Sequence, residues 1–270
     1  YVVAEVNQGP GAVASLVERL SRGTALGKDL EADIERGSDR LRRMVGAADG
    51  LQTTADVLND ARHCANVLFN VMRGGVYADD YELDRQDLRA FVAHHNRGVA
   101  EAHAPFFDEL PDRLGVDAVK TRVASVEDPQ LARLCSEYLP LTFSRRHGDP
   151  SRPWNQFAIR LKDSEGNRIL SYQGNWRDIF QNWEALSLSY PEFIESVIAK
   201  FVNASTADGY NPYRITKEGI DWEIEDPEDP WSYIGYWGDH QIIYLLKLLE
   251  HSHQFHPDRL RSLLYRPVYC

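Results

Sequence analysis

Three cysteines in 270 residues, Cys64, Cys135 and Cys270, are too few and too widely spaced to staple a fold, and none stands in a CxxC pair. A disulfide framework, a zinc knuckle and thiol redox chemistry are therefore excluded as organising features, and the thiols read as reduced. Long hydrophobic runs are lacking too. The longest, Ile242 to Leu249, is broken by Lys247 and falls far short of the roughly 20 residues a membrane span needs, so no transmembrane segment is expected. No stripe of Lys and Arg runs along the chain, whose formal net charge is -11 at pH 7. Such a surface repels a phosphate backbone, which excludes nucleic acid as a partner. His251, His253 and His256 stand near no acid or thiol at ligand spacing and read as a solvated helix end, so no metal is predicted, and no cofactor. The first residues, Tyr1 to Val6, lack an initiating Met, a basic segment and a signal-peptide stretch. They read as a strand already under way in a longer chain, and with the reduced thiols they point to a cytoplasmic protein.

What is present is an ordinary globular composition, with 43% hydrophobic and 26% charged residues. That excludes disorder and fibrous repeats. The pattern along the chain is mainly α. After Gly9-Pro10-Gly11, helices are predicted over residues 12–20 and 28–45, a charged region. Residues 1–50 form this terminal strand and linker unit, and residues 51–270 the main body. From Ala55 to Met72, Leu58, Ala61, Ala65, Leu68 and Met72 mark one apolar helix face. Asn59, His63, Asn66 and Asn70 form a second, uncharged polar stripe suited to a polar interior. Further helices are predicted over 84–104, 128–138, 176–189, 191–203 and 239–251, with Pro191 at a favoured first position. Phe157, Ile159 and Leu161, then Leu170 and Tyr172, alternate about a Ser164-Glu165-Gly166-Asn167 turn, which predicts a β-hairpin inserted among the helices. The helix from Asp239 is apolar nearly all round, through Ile242, Ile243, Leu245, Leu246, Leu248 and Leu249, and is predicted to be wrapped by other helices.

All six tryptophans, Trp154, Trp176, Trp183, Trp222, Trp231 and Trp237, fall between residues 154 and 237 among Asp, Glu, Arg and Asn, where core packing alone would scatter them. Sugars present flat C–H faces edged with hydroxyls, so their sites combine aromatic platforms with such polar groups, whereas nucleotide sites need glycine-rich phosphate loops. Three constellations carry the former ingredients. Trp176, Arg177, Asp178 and Trp183 stand at a helix start that follows a strand; the plain structural alternative is that Asp178 caps the helix and both indoles are core. Residues 206–231 form a long loop with Asn211, Tyr213, Arg214 and the acids of Asp221-Trp222-Glu223. Trp237 leads into Asp239 and His240 at the next helix start, where the helix dipole favours an anion or polar ligand, or where Asp239 is a simple cap. A fourth stretch, with Arg145, Arg146 and Trp154, suits phosphate or sugar hydroxyls and equally a surface salt-bridge loop.

Taken in order, these constellations resemble the first half of the (α/α)6 toroid of six-hairpin glycoside-active enzymes, closest to the cellobiose and chitobiose phosphorylase class, with debranching-type glucosidases more distant. Trp176-Arg177-Asp178 resembles the aromatic turn and Arg-Asp pair that open an inner helix in that class. Asp239-His240 resembles a later acidic pair, with histidine in place of its second acid. Tyr1 to Val6 is similar to the last strand of the N-terminal sandwich that linker helices join to the toroid. The Trp-Asn-Asp motif that supplies the class's general acid has no counterpart after His251. The resemblance thus implies a mainly α fold, part of an (α/α)6 toroid from a glycoside hydrolase or glycoside phosphorylase acting on oligosaccharides. Asp178 and Asp239 would be its catalytic carboxylates. Trp176, Arg177, Trp183, Asn211, Tyr213, Arg214, Trp237, His240, Arg145, Arg146 and Trp154 would contact sugar. The implied partners are an oligosaccharide or sugar, inorganic phosphate, and the remainder of the parent chain, since half a site should not turn over. The residues alone leave two alternatives open: a noncatalytic helical carbohydrate- or protein-binding domain, and a self-sufficient small helical enzyme with paired carboxylates.

Overall fold

The computed structural model describes residues 11–48, 55–143, 160–163, 165, 167–229, 232–238 and 241–269, and helices hold 61% of them. The first two helices, α1 (Gly11–Ser21) and α2 (Thr24–Ala47), are amphiphilic and largely exposed. Arg36 pairs with Asp33 and Arg42 with Asp39 across single turns on the solvent side, contacts worth a few tenths of a kcal/mol each, roughly. Only the end of α2 reaches the core, where Met44 and Val45 pack and the Met44 carbonyl accepts from the Tyr190 hydroxyl at 2.8 Å.

Helix α3 (Val57–Gly74) is capped by Asp56, whose carboxylate accepts from the Leu58 and Asn59 amides, and it stops at Gly75 with φ 107°. The face it buries is not the predicted one. Val67, Val71 and Gly74 point inward, while Leu58, Ala61, Ala65 and Met72 are exposed, Met72 at 65%. Glycine decides this. A Cβ at Gly74 would lie 2.3 Å from Leu186 Cβ and 2.8 Å from the Asn182 carbonyl oxygen, so only a bare backbone allows the close approach. Asn70 donates to Ser189 Oγ at 2.9 Å and Arg73 to Asn182 Oδ1 at 3.4 Å, which fixes the same face. Of the polar stripe, Asn70 and His63 are half-buried, and Asn59 and Asn66 face solvent.

The next stretch is closed at its base by a strand pair. β1 (Val76–Tyr77) and β4 (Leu141–Thr142) align Val76 with Thr142 and Tyr77 with Leu141. Between them lie β2 (Glu82–Asp84), α4 (Arg85–His95), α5 (Arg97–Ala102), α6 (Ala104–Glu109), β3 (Arg113–Gly115), α7 (Val116–Ala124) and α8 (Pro129–Glu137). Asp84, Asn96 and Asp128 each accept from helix-start amides, so three of these short helices begin on a side-chain cap. Antiparallel β2 and β3 tie the middle of the lobe.

The tip of the predicted hairpin is present. Lys162 and Arg168 form an antiparallel bridge, and Asp163 accepts from the Glu165 and Asn167 amides; Phe157 and Ile159 lie outside the described residues.

The centre of the fold is β5 (Gln173–Asn175) running into α9 (Trp176–Ser187), a 3-10 turn (Pro191–Phe193) and α10 (Ile194–Asn203). Trp176, Ile179, Phe180, Trp183 and Leu186 of α9 are fully buried with Ile194, Val197 and Ile198 of α10. Each contributes about 1.5–3 kcal/mol by leaving water. Beyond them come β6 (Tyr210–Asn211), β7 (Arg214–Thr216), β8 (Ile220–Asp221), β9 (Tyr236–Trp237), α11 (Gln241–Phe255) and α12 (Pro257–Leu263). α9 and α11 run parallel from a common end. Asn175, just before α9, donates to the Tyr236 hydroxyl just before α11, and further along Lys247 meets Glu184 at 3.6 Å.

The expectation that α11 is wrapped on all sides is corrected. Gln241, Leu248 and Ser252 are buried, but Ile242, Ile243 and Leu246 are exposed, Ile242 at 58%. Among the described residues its principal neighbours are α9, α10 and α12, which cover one stripe of it.

Candidate carbohydrate site

The described residues of the three constellations converge on the start of α9. β7 pairs antiparallel with β5, setting Arg214 opposite Asn175, and the Trp176 amide donates to the Tyr213 carbonyl at 3.0 Å. β6 pairs with β9, setting Tyr210 opposite Trp237 and Asn211 opposite Tyr236. Asn175 joins the two units. Its Oδ1 accepts from the Arg177 amide at 2.9 Å, and its Nδ2 donates to the Tyr236 hydroxyl at 2.9 Å. Asn175 is therefore the cap of α9, so Asp178 is not the residue that starts the helix. Asp178 sits in the first turn, 8% exposed, at the positive end of the helix dipole. The Arg177 guanidinium lies over the Tyr236 ring, 5.8 Å from its centre.

A second layer surrounds this junction. Arg214 Nε and a terminal nitrogen each approach Asp221 Oδ2 at 2.5 Å, and the guanidinium lies 5.9 Å from the centre of the Tyr233 ring. Tyr213 packs on Tyr233 with ring centres 4.7 Å apart. Burial, then the neighbouring phenols of Tyr236 and Tyr233, push its own phenol up to about 12, so it stays a neutral hydrogen-bonding group at any physiological pH. Further out the aromatics reach solvent. Tyr210 stacks with Trp222 at 6.4 Å and 15°, and meets Trp237 at 4.9 Å. Its hydroxyl donates to Glu223, a contact that raises the phenol above its usual range. Trp237 is 62% exposed and Trp222 partly so. The result is an open aromatic platform edged by a carboxylate, beside an Arg and an Asp at a helix start.

Trp176 and Trp183 are corrected from sugar contacts to core residues. Both are fully buried, Trp176 against Phe180 and Phe201, and Trp183 against Tyr172 and Phe180. Asn211 is buried as well and donates to the Gly209 carbonyl, which shapes the β6 turn. Asp239, His240, Arg145, Arg146 and Trp154 lie outside the described residues. The sequence reading missed Asn175, Tyr210, Tyr233 and Tyr236. An asparagine directly before a helix start is a recognisable cap signal, but its second bond spans 61 positions and has no local signature. Among the described residues no group of His, Cys, Asp and Glu could hold a metal ion, and no helix is long and apolar enough to cross a membrane.

The lobe closed by β1 and β4 is tied to this sheet by Lys217, whose ammonium donates to Asp87 of α4 at 2.6 Å. That lobe also carries a likeness to a known family. Residues 77–140 match the family model of glycoside hydrolase family 149 insertion domain 1. The match starts inside β1 and ends directly before β4, so sequence similarity and strand pairing delimit the same unit. It supports a glycoside-active enzyme family, and with it a carbohydrate-active protein. No curated protein matches the chain.

Proposed function

We propose that the loops at the common end of α9 and α11 bind an oligosaccharide as part of a glycoside hydrolase or glycoside phosphorylase of the six-hairpin type. The observation that carries this reading is the platform of Tyr210, Trp222 and Trp237 with Glu223 at its edge. Flat rings half open to water suit the C–H faces of a sugar, and a carboxylate beside them accepts from its hydroxyls. Within this reading Arg177 and Asp178 hold the sugar nearest the reacting bond, and the parallel course of α9 and α11 supports it as a relation that neighbouring inner helices of an α/α toroid would have. Asp178 is then the first catalytic carboxylate, and Asp239, two positions before Gln241 in the sequence, is the second. Inorganic phosphate is the second substrate if the reaction is phosphorolysis.

Calorimetric titration of the 270-residue chain with α- and β-linked gluco-oligosaccharides tests this. Binding that Trp237→Ala weakens about tenfold or more supports it, in line with the loss of a main aromatic contact. If the wild-type chain binds none of them, or binds them equally well without the Trp237 and Trp222 rings, the platform is not a sugar subsite and the reading fails.

A further inference from the structure

A second concavity lies away from that platform. A cavity of about 820 Å3 is walled by α7 and α8 on one side, and by α10, α12 and the C-terminal tail on the other, with Lys120, Cys135, Glu195, Arg259, Leu263 and Tyr269 among its lining residues. At its edge the corner between α11 and α12 is pinned to the start of α10 by charge. His256 places Nδ1 3.0 Å from Glu195 Oε1 and Nε2 3.1 Å from Glu192 Oε1. A neutral imidazole has one N–H and one bare acceptor nitrogen. With a carboxylate opposite each nitrogen, both contacts are hydrogen bonds only when both nitrogens carry protons.

The groups around His256 come from every element packed there. On α11, Ser252 donates to Glu195 Oε1 at 2.7 Å. On α12, Arg259 donates to Glu192 at 2.7 Å and reaches Glu195 at 3.4 Å and Asp117 of α7 at 3.3 Å. Lys120 of α7 donates to the Glu192 carbonyl at 2.5 Å, and from the tail the Tyr269 phenol is raised by burial and by Glu195. Three carboxylates, Asp117, Glu192 and Glu195, thus face two other cations, Lys120 and Arg259. A charged His256 is what brings the seam to formal neutrality.

We propose that His256 is a pH-sensitive latch which holds α12 and the tail, residues 257–269, over this cavity while its ring is doubly protonated and loosens them when it loses a proton. The hydrogen bond that His256 donates to Glu195 outweighs desolvation and raises the imidazole above its ordinary value. The contribution is therefore complete below the unfolded histidine value of about 6.5 and is lost as pH rises through the higher folded value. Asp117 is pushed up by burial and by Glu192 beside it, as expected of carboxylates crowded at one seam. Lys120, lowered by burial, weakens the seam further in alkali, which makes a His256 variant the necessary control.

Hydrogen exchange of the whole chain at about pH 6 and about pH 8.5, corrected for intrinsic rates, reads the latch directly. Protection across residues 257–269 should fall about tenfold or more at the higher pH while α9 amides hold theirs. In His256→Gln most of that pH-dependent loss should disappear, leaving only the smaller part that Lys120 contributes in alkali. Wild-type protection that does not move with pH, or a pH-dependent loss that persists undiminished in His256→Gln, overturns the proposal. An NMR titration of the wild-type imidazole needs no variant: a His256 resonance that titrates below about 6.5 overturns it as well, and one that titrates above supports it.

Discussion

Helix α10 is held at its two ends by opposite chemistries. At its start Glu192 and Glu195 meet His256 and Arg259, a seam of formal charges. At its far end Phe201 packs on Trp176 and Phe180, directly beneath the aromatic loops. Ionic groups stand there too, but deep among rings: Lys200 of the last turn lies 5.4 Å from the centre of the Tyr172 ring, and Asn203 donates to the Glu137 carboxylate at 2.7 Å. The difference teaches how each end should respond to perturbation. The aromatic end should be the more sensitive to lost volume and indifferent to pH below the point where Lys200, lowered by burial to about 8, loses its charge; the charged end should tolerate small changes of shape and respond to protons through His256.

The largest effect is expected at the apolar end. Trp176→Ala removes a fully buried indole from contact with two phenylalanines and should cost about 3–5 kcal/mol of unfolding free energy. Denaturant titration at two pH values, both well below the Lys200 value of about 8, checks both halves of the contrast: the loss should be the same at each. A loss that varied with pH would mean that the two ends of α10 are coupled.

At the charged end, Glu195→Gln keeps the shape and removes a carboxylate that His256, Ser252 and Arg259 all approach. Breaking a buried ionic group of this kind costs about 3 kcal/mol when its partners stay charged. The sign with pH is specific. In the wild type, stability falls as pH rises through the raised His256 value; in Glu195→Gln the main cause of that raised value is gone, so the slope should flatten. Melting temperature against pH shows whether it does.

These contrasts also explain what could be read without coordinates. Helix existence was legible at most positions because caps and periodicity are local: Asp128 before α8 and Pro191 before α10 announce themselves. The buried face of α3 was not, because it is chosen by the absence of a side chain at Gly74, and hydrophobic periodicity counts only side chains that are present. The exposure of α11 was hidden for a related reason, since a helix that is apolar all round implies neighbours but does not say which of them are there. For the candidate site, the Arg177-Asp178 helix start stood out as a junction. The pairing of Tyr210 with Trp237 and the Asn175 bridge are long-range events that no spacing encodes. Trp176 and Trp183 misled because polar neighbours in sequence are not neighbours in space once a helix turns its apolar stripe inward.

A smaller effect, of opposite sign, is expected at the start of α11. Gln241 is 1% exposed, and among the described residues neither polar atom of its amide has a hydrogen-bond partner. An unsatisfied buried amide costs about 1–3 kcal/mol. Gln241→Met, similar in volume and without that amide, should therefore raise unfolding free energy by about 1 kcal/mol. A lowered melting temperature would show that the amide does bond in solution.

The smallest stability effect should accompany the largest functional one. Trp237 is mostly exposed, and its strand position is held by backbone pairing to Tyr210, which any residue can supply. Trp237→Ala should then change unfolding free energy by less than about 0.5 kcal/mol. If the platform is a sugar subsite, the same substitution removes one of its main contacts and oligosaccharide binding drops with the fold intact. The pairing of measurements matters because Trp176→Ala would also abolish binding, by unfolding the helix that carries Arg177 and Asp178. Only loss of binding at unchanged stability separates a ring that touches ligand from a ring that supports the surface beneath it. If Trp237→Ala instead destabilises by as much as Trp176→Ala, the outer aromatics belong to the core after all, and the contrast between platform and support disappears.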